Sequence, residues 1–104
     1  MKEFSSFLGI DLGSSGVRIS IINESKLLEY FDQMEYESGL KNPIDWKNCC
    51  ENLITKVPIS LKKNIKACSV DGTSGTLLAC SNEGEAYGEA LEFKLIFPQY
   101  INTI

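Results

Sequence analysis

The sequence predicts a small α/β domain: a three-stranded antiparallel meander, a helix, a parallel fourth strand and then a hairpin. Three observations predict this fold. Short apolar runs alternate with Gly/Ser turns in the first third, a single helical apolar stripe follows, and another apolar run comes after it. With 104 residues, 43% of them apolar and 23% charged, the chain has the size and composition of one globular domain.

The opening meander is predicted from alternation and turn residues. The second strand shows the clearest pattern, because Val17, Ile19 and Ile21 are apolar and the residues between them are polar. The first strand is a short apolar run that ends in an acid, and such a run is typical of a buried strand. The three strands are expected at residues 7–11, 17–21 and 27–34, with turns at 13–16 and 23–25.

The central helix is predicted from one continuous apolar stripe. Asp45, which follows Pro43, is expected to cap the helix N-terminus, and Pro58 is expected to stop the helix. Such a stripe must cover a sheet, so we interpret Trp46 as a core residue rather than a platform for a ligand. The stripe consists of Trp46, Cys49, Cys50, Leu53, Ile54 and Val57.

The helix is a crossover connection to the last part of the sheet. Residues 65–70 read as a fourth strand, and a strand reached through a helix is expected to lie parallel to a strand of the meander. A polar Gly-rich loop follows this strand. Residues 77–80 and 90–93 are then expected to pair as a final hairpin.

Composition excludes several classes of function. The chain has no histidine, which excludes His-based acid–base catalysis, Ser-His-Asp triads and most zinc sites. Its net charge of −4 argues against nucleic acid or an anionic membrane as a partner. Neither a membrane-spanning apolar run nor a signal peptide is recognisable, so a cytoplasmic location is expected. The cysteines form no C-x-x-C pair and are expected to be free, buried thiols: Cys49, Cys50, Cys68 and Cys80.

The first loop with functional chemistry lies between the first two strands. Backbone N–H groups of a tight turn can surround an anion, and its glycines allow close approach of a phosphate. The serines add donors, the arginine adds a cation, and the aspartate suits a hydrated Mg²⁺. An ordinary hairpin with a polar turn is the alternative. The candidate residues are Asp11, Gly13, Ser14, Ser15, Gly16 and Arg18.

The second loop, DGTSGT at residues 71–76, follows the fourth strand. It offers a carboxylate and hydroxyl groups at the carboxyl end of a strand, where polar ligands commonly bind in α/β folds. These groups suit a polyol or a sugar, and a Gly-rich turn into a hairpin is the alternative. The candidate residues are Asp71, Gly72, Thr73 and Ser74.

Residues 9–22, GIDLGSSGVRISII, resemble the first phosphate loop of the actin-like ATPase superfamily. Together with the helix that begins at DW and with SVDGTSGTLLACSNEGEAYGEALEF at residues 69–93, they resemble the N-terminal domain of the FGGY carbohydrate kinases. The second loop looks closer to the ribulokinase and xylulose kinase branch than to glycerol kinases. The resemblance implies a partial ribonuclease-H-like fold for residues 1–93, followed by a divergent apolar tail at 94–104.

The resemblance also implies roles for both loops. ATP and Mg²⁺ are the implied cofactors, and a sugar of the ribulose or xylulose class is the implied substrate. Asp11 would hold Mg²⁺ through water, residues 13–16 would face the β- and γ-phosphates, and Arg18 would reach those phosphates. Residues 72–74 would contact the sugar, with Asp71 at the edge of that loop. The family reaction moves the γ-phosphoryl group of ATP to a sugar hydroxyl.

The resemblance covers only the beginning of such a kinase. The family's catalytic aspartate, second phosphate loop, adenosine motif and second domain match no residue of this chain, so no catalytic base is assigned. We therefore expect a truncated fragment that is inactive alone, binds ATP weakly and self-associates through an uncovered sheet. Two alternatives stay open, a sugar- or phosphate-binding regulatory module and half of a split kinase that another chain completes.

Overall fold

A computed structural model describes residues 5–73 and 78–90 of the chain. Its elements follow the predicted order, with one additional short helix before the last strand. They are β1 (Ser6–Leu12), β2 (Gly16–Asn23), β3 (Leu28–Glu35), α1 (Pro43–Thr55), α2 (Ile59–Lys62) and β4 (Ile65–Gly72). Within these ranges no helix is long and apolar enough to cross a membrane.

The four strands form one mixed sheet in the order β3-β2-β1-β4. β1 and β2 pair antiparallel, β2 and β3 pair antiparallel, and β4 lies parallel to β1. The predicted meander and the parallel fourth strand are therefore confirmed. The predicted final hairpin falls partly outside the described residues, and inside them Cys80 and Ala86 form one isolated antiparallel bridge.

The core lies between the sheet and α1, on one face of β2. Val17, Ile19 and Ile21 are completely buried, and Leu53 of α1 is buried against them. Each side chain buried to this degree contributes roughly 2 kcal/mol relative to an exposed position. The predicted alternation of β2 and the helical stripe therefore form the same interface. Trp46 is partly buried and packs against this cluster, as predicted, and its indole N–H donates to Leu40 O at 2.7 Å.

The helix begins earlier than predicted, because Asn42 rather than Asp45 is the N-cap. The Asn42 Oδ1 atom accepts from Ile44 N–H at 3.2 Å, and Pro43 takes the first helical position, where a missing N–H costs nothing. Asp45 is buried in the first turn, and its Oδ2 atom accepts from Ser38 N–H at 2.8 Å. Asp45 thus anchors the preceding loop to the helix.

β4 is the exposed edge of the described sheet. Every residue of β4 after Ile65 is exposed, because α1 packs across β2 and β3. The prediction that all cysteines are buried is therefore wrong for Cys68 on β4 and for Cys80, which are both exposed. Cys49 is buried under the sheet, and none of the four cysteines, all within the described ranges, forms a disulfide.

Replacement of Gly16 by alanine is expected to destabilise the fold. A Cβ atom at this position would overlap the Met34 carbonyl oxygen and lie 2.8 Å from Glu35 Cα, so β2 and β3 would have to separate. We expect Gly16→Ala to lower the free energy of unfolding by about 2 kcal/mol. Gly9→Ala is the matched control, because its Cβ would lie 3.9 Å from the nearest atom, Ser20 O. Urea unfolding measures both, and equal losses would contradict the steric argument.

Candidate functional site

The turn at residues 13–16 joins β1 to β2 at the end of the sheet where both predicted loops lie. Gly13 N–H donates to Gly16 O at 2.8 Å, which closes the turn. Ser14 and Ser15 are exposed at its tip, so their hydroxyls are accessible to a ligand. Gly16 also has a packing role that the sequence did not reveal, because its lack of a side chain lets β2 approach β3. The turn therefore has the accessible donors that a phosphate site requires.

An ion pair flanks this turn on the outer face of the sheet. Asp11 and Arg18 are cross-strand partners, and Arg18 Nη1 lies 2.9 Å from Asp11 Oδ2. The two side chains are 48% and 52% exposed respectively, so the pair contributes at most about 1 kcal/mol to stability. It does place a guanidinium and a carboxylate, both accessible to solvent, beside the turn.

The strand register extends this pair into a polar row across all four strands. Gln33, Arg18, Asp11 and Asp71 occupy directly paired positions on β3, β2, β1 and β4. Paired positions lie roughly 5 Å apart, so the side chains of one row are neighbours on the same face. A shallow groove of about 300 Å³ runs along this face and is lined by Asp11, Arg18 and Asp71. Asp71 therefore lies beside Asp11 and in the same row as Arg18, which local sequence could not indicate.

The rest of the second loop opens toward the opposite, α1 side of the sheet. Gly72 and Thr73 line a cavity of about 110 Å³. The other walls of this cavity are Leu12, Tyr36, Leu40 and Trp46. The structure thus divides the predicted sugar loop between two sides of the sheet, since strand residues alternate in direction. Ser74 lies outside the described residues.

Tyr36 connects the two loops and was absent from the sequence-based candidates. Its phenol O–H donates to Gly13 O at 2.9 Å, and its backbone N–H donates to Ser15 O at 2.9 Å. The residue is 7% exposed, directly after the end of β3. Burial raises the pKa of Tyr36 to about 12, helped by the negative charges of Cys49, Cys50 and Asp11 when these ionise. The phenol is therefore a hydrogen-bond donor throughout the physiological pH range.

The carboxylates of this site suit a metal ion that arrives with a ligand. Among residues 5–73 and 78–90, no three His, Cys, Asp or Glu side chains form a cluster able to hold a metal by themselves. Mg²⁺ typically binds one or two protein carboxylates and completes its shell with water and phosphate oxygens. Asp11 and Asp71 provide that donor set beside the turn. The chemistry of these residues therefore fits Mg²⁺ bound to a phosphate.

No protein family's sequence profile matches the chain, whereas solved structures of kinases do. A xyloylose kinase from Brucella ovis matches 83% of the chain at 19% identity, with a TM-score of 0.70. A gluconate kinase from Lactobacillus acidophilus matches 97% at 12% identity (TM-score 0.71). The ADP complex of Plasmodium falciparum glycerol kinase matches 97% at 12% identity (TM-score 0.66). These similarities show the fold, and they confirm the predicted partial α/β domain.

The chain spans only a small part of the kinases that it resembles. It covers 20%, 23% and 24% of the Brucella, Lactobacillus and Plasmodium chains, respectively. The three proteins also differ in the acceptor that each is named for. The shared fold therefore does not distinguish among acceptors.

Tyr36 is expected to make the fold sensitive to alkaline pH. Since its pKa is raised from 10.0 to about 12 in the folded chain, its stabilising effect is complete below pH 10 and is lost as the pH rises toward 12. Over this interval the free energy of unfolding should fall by up to about 1.4 kcal/mol per pH unit more than in Tyr36→Phe. Urea unfolding at pH 9 to 12 tests this, and parallel curves for the two proteins would contradict it.

Proposed function

We propose that this chain is the N-terminal part of an ATP-dependent sugar kinase of the FGGY carbohydrate kinase type. The observation that carries the proposal is the polar row of Arg18, Asp11 and Asp71 beside the Gly-Ser-Ser-Gly turn. The fold shared with sugar kinases supports it. A row of one cation and two carboxylates next to accessible backbone donors suits a phosphate chain with its magnesium ion.

The turn would bind the β- and γ-phosphates of ATP. The Ser14 and Ser15 hydroxyls and the backbone N–H groups of the turn would donate to phosphate oxygens, and Gly13 and Gly16 would keep the approach open. The Arg18 guanidinium presents a planar set of cationic donors. Its pairing with Asp11 holds the guanidinium at the turn before the nucleotide arrives.

Asp11 would hold Mg²⁺ through a water molecule, and Asp71 lies next to it on β4. When bound, Mg²⁺ neutralises charge on the phosphate oxygens during phosphoryl transfer. The adjacency adds a second role for Asp71, which the resemblance placed at the edge of the sugar loop. Its carboxylate could accept from a sugar hydroxyl on one side and from metal-bound water on the other.

The sugar would lie against the second loop, where Gly72, Thr73 and Ser74 are the proposed contacts. Thr73 lines a cavity whose remaining walls are largely apolar. Sugars present both hydroxyls and C–H surfaces, so a hydroxyl beside apolar walls suits such a ligand. A pentulose of the ribulose or xylulose class is the proposed acceptor, and a cytoplasmic location suits a reaction that consumes ATP.

The chain alone is expected to lack turnover. In the family a carboxylate base acts on the acceptor hydroxyl, and no residue of this sequence is assigned to that role. The kinases of the same fold are also about four times as long. The division into a kinase-like region at 1–93 and a divergent tail at 94–104 remains part of this proposal. Nucleotide binding by phosphate contacts alone should be weak.

MgATP titration of the ¹⁵N-labelled chain tests the proposal. We expect amide shifts at residues 13–16 and an affinity on the order of 1 mM. Asp11→Asn should weaken binding about tenfold, the loss expected for one charge-assisted contact. The matched control is Asp32→Asn, a carboxylate on β3 away from the turn, which should bind normally. Ribulose and xylulose, titrated in the same way, should shift the amide of Thr73.

Two results would contradict this proposal. If MgATP causes no shift at the turn, the phosphate assignment is wrong. If Asp11→Asn and Asp32→Asn weaken binding equally, the effect reflects net charge rather than a contact at the turn. Submicromolar affinity for ATP would contradict the expectation that the adenine is left without a binding site.

A second candidate function is half of a split kinase, and the exposed β4 favours it. β4 forms an edge of the described sheet, and its residues after Ile65 are exposed. An exposed edge strand presents backbone groups with which a further strand can pair. A separate polypeptide that carries the missing domain could complete the sheet there. The other alternative, a regulatory module, requires only that the chain bind a sugar or a phosphate without turnover.

The same edge predicts self-association of the isolated chain. We expect sedimentation velocity to show a weight-average mass that rises with concentration between about 10 and 500 µM, as weak strand pairing does. Val70→Lys places a charge on this exposed strand, where Val70 is 59% exposed, and should restore the monomer. A core substitution such as Val57→Ala is not a suitable control, because it would change the stability of the fold. A wild-type chain that stays monomeric would contradict the prediction.

A further inference from the structure

We propose that Tyr36 is the positioning residue of the phosphate loop and that it holds this loop in register with the Thr73 cavity. The inference rests on the proposed function, because it assumes that the turn at residues 13–16 binds phosphate. It adds a residue that neither the sequence motifs nor the resemblance assigned. Tyr36 would act through the backbone of the turn and would not touch the transferred phosphoryl group.

Two hydrogen bonds connect Tyr36 to the turn. Its side chain and its backbone each donate one hydrogen bond to a carbonyl of the turn, Gly13 O and Ser15 O, both at 2.9 Å. Gly13 and Ser15 flank Ser14 at the tip, so the two bonds hold the turn from both sides. A buried residue that is hydrogen-bonded to the turn through both its side chain and its backbone restricts the turn far more than an exposed side chain could.

The geometry of the peptide bond links the carbonyls that Tyr36 binds to the amides of the turn. Within the described residues every peptide bond is trans, so the C=O and N–H groups of one peptide unit point in opposite directions. With the Gly13 and Ser15 carbonyls directed toward Tyr36, the N–H groups of Ser14 and Gly16 must point away from it. Tyr36 therefore fixes the direction of the two amides that follow these carbonyls. An anion site built from a turn requires amides with a fixed orientation.

The Tyr36 side chain also forms a wall of the cavity beside Thr73. Tyr36 lines the cavity of about 110 Å³ together with Leu12, Trp46, Gly72 and Thr73. One face of the residue thus contacts the phosphate loop while another borders the proposed sugar contact. In phosphoryl transfer, the acceptor hydroxyl and the γ-phosphate must lie in line and close together. A single rigid residue between the two loops is suited to maintain that distance.

Burial explains why the phenol can perform this role. Tyr36 is 7% exposed and belongs to the core cluster that includes Cys49 of α1, and its hydrogen bond to Gly13 O is partly buried. Burial raises the pKa of Tyr36 to about 12, so the phenol is protonated and able to donate to Gly13 O at neutral pH.

Tyr36→Phe tests the inference in the full chain, with Tyr30→Phe as the matched control. Both variants remove one phenol oxygen from an aromatic residue on or beside β3, but Tyr30 pairs with Ile21, far from the turn. Amide hydrogen exchange without ligand and MgATP titration are measured on all three proteins. We expect faster exchange at Ser14 and Gly16 and about five- to tenfold weaker MgATP binding in Tyr36→Phe alone. Melting temperature is recorded as well, because a purely structural role would change only stability.

The outcomes separate this inference from the function on which it rests. If the wild type binds MgATP at the turn and Tyr36→Phe binds equally well, the positioning role is wrong and the proposed function stands. If the turn loosens in both variants alike, the effect is a general loss of stability and the inference fails. If the wild type shows no binding at the turn, the proposed function fails, and the positioning role fails with it.

Should Tyr36→Phe not fold, the wild-type chain still decides. The hydroxyl proton of Tyr36 should exchange slowly and show a nuclear Overhauser contact to the Gly13–Ser14 peptide. Addition of MgATP should shift this proton, because the nucleotide would bind the opposite side of the same peptide units. A rapidly exchanging hydroxyl proton, or one that MgATP leaves unchanged while the turn amides shift, would overturn the inference.

Discussion

Burial of one face of β2 against α1 is the interaction on which the rest of the structure depends. Val17, Ile19 and Ile21 are completely buried there, with Leu53 of the helix. Because side chains alternate along a strand, this contact forces Arg18 onto the opposite face. A slip of one residue would move a charged arginine into the core, where it would lack a partner. The requirement of the core therefore also sets the position of the polar row.

The sheet separates the two groups of proposed ligand contacts. Asp11, Arg18 and Asp71 lie on its outer face, and Thr73 lies on the side that α1 covers. They meet only at the end where β1 and β4 finish and the turn begins. A reaction between a nucleotide phosphate and a sugar hydroxyl would have to occur at that end. Tyr36 donates a hydrogen bond to the turn at that end and also lines the Thr73 cavity.

The described sheet is covered unevenly, and this has consequences for stability. α1 covers β2 and β3, while β4 is exposed along almost its whole length. The kinases of the same fold are several times longer than this chain. A thin core with an exposed edge strand gives a domain that gains stability from any partner that pairs with β4. The candidate site is also open to solvent, because Asp11, Arg18 and Asp71 line a groove on the outer face of the sheet.

Local pattern was sufficient to predict the three strands of the meander, the central helix and the fourth strand. The alternation of β2, the stripe of α1 and the Gly/Ser turn are periodic or contiguous signals, and each predicts its element directly. The parallel direction of β4 followed from the helical crossover, whereas its place beside β1 did not. The fold of the solved kinases confirms the fold class. Asp11 and Arg18 were predicted as site residues from their charges beside the Gly/Ser turn, and the pairing that the structure shows between them spans only that turn.

Tertiary structure alone decided the features that depend on distant contacts. Asp71 lies beside Asp11 because β4 and β1 pair in a particular register, which no spacing in the sequence reveals. Tyr36 contacts Gly13, 23 residues away, and the exposure of Cys68 reflects where α1 packs. Asp45 accepts from the backbone N–H of Ser38 in the preceding loop, while Asn42 caps the helix. The sequence determined which residues could act, and the packing of helix on sheet decided which of them lie together.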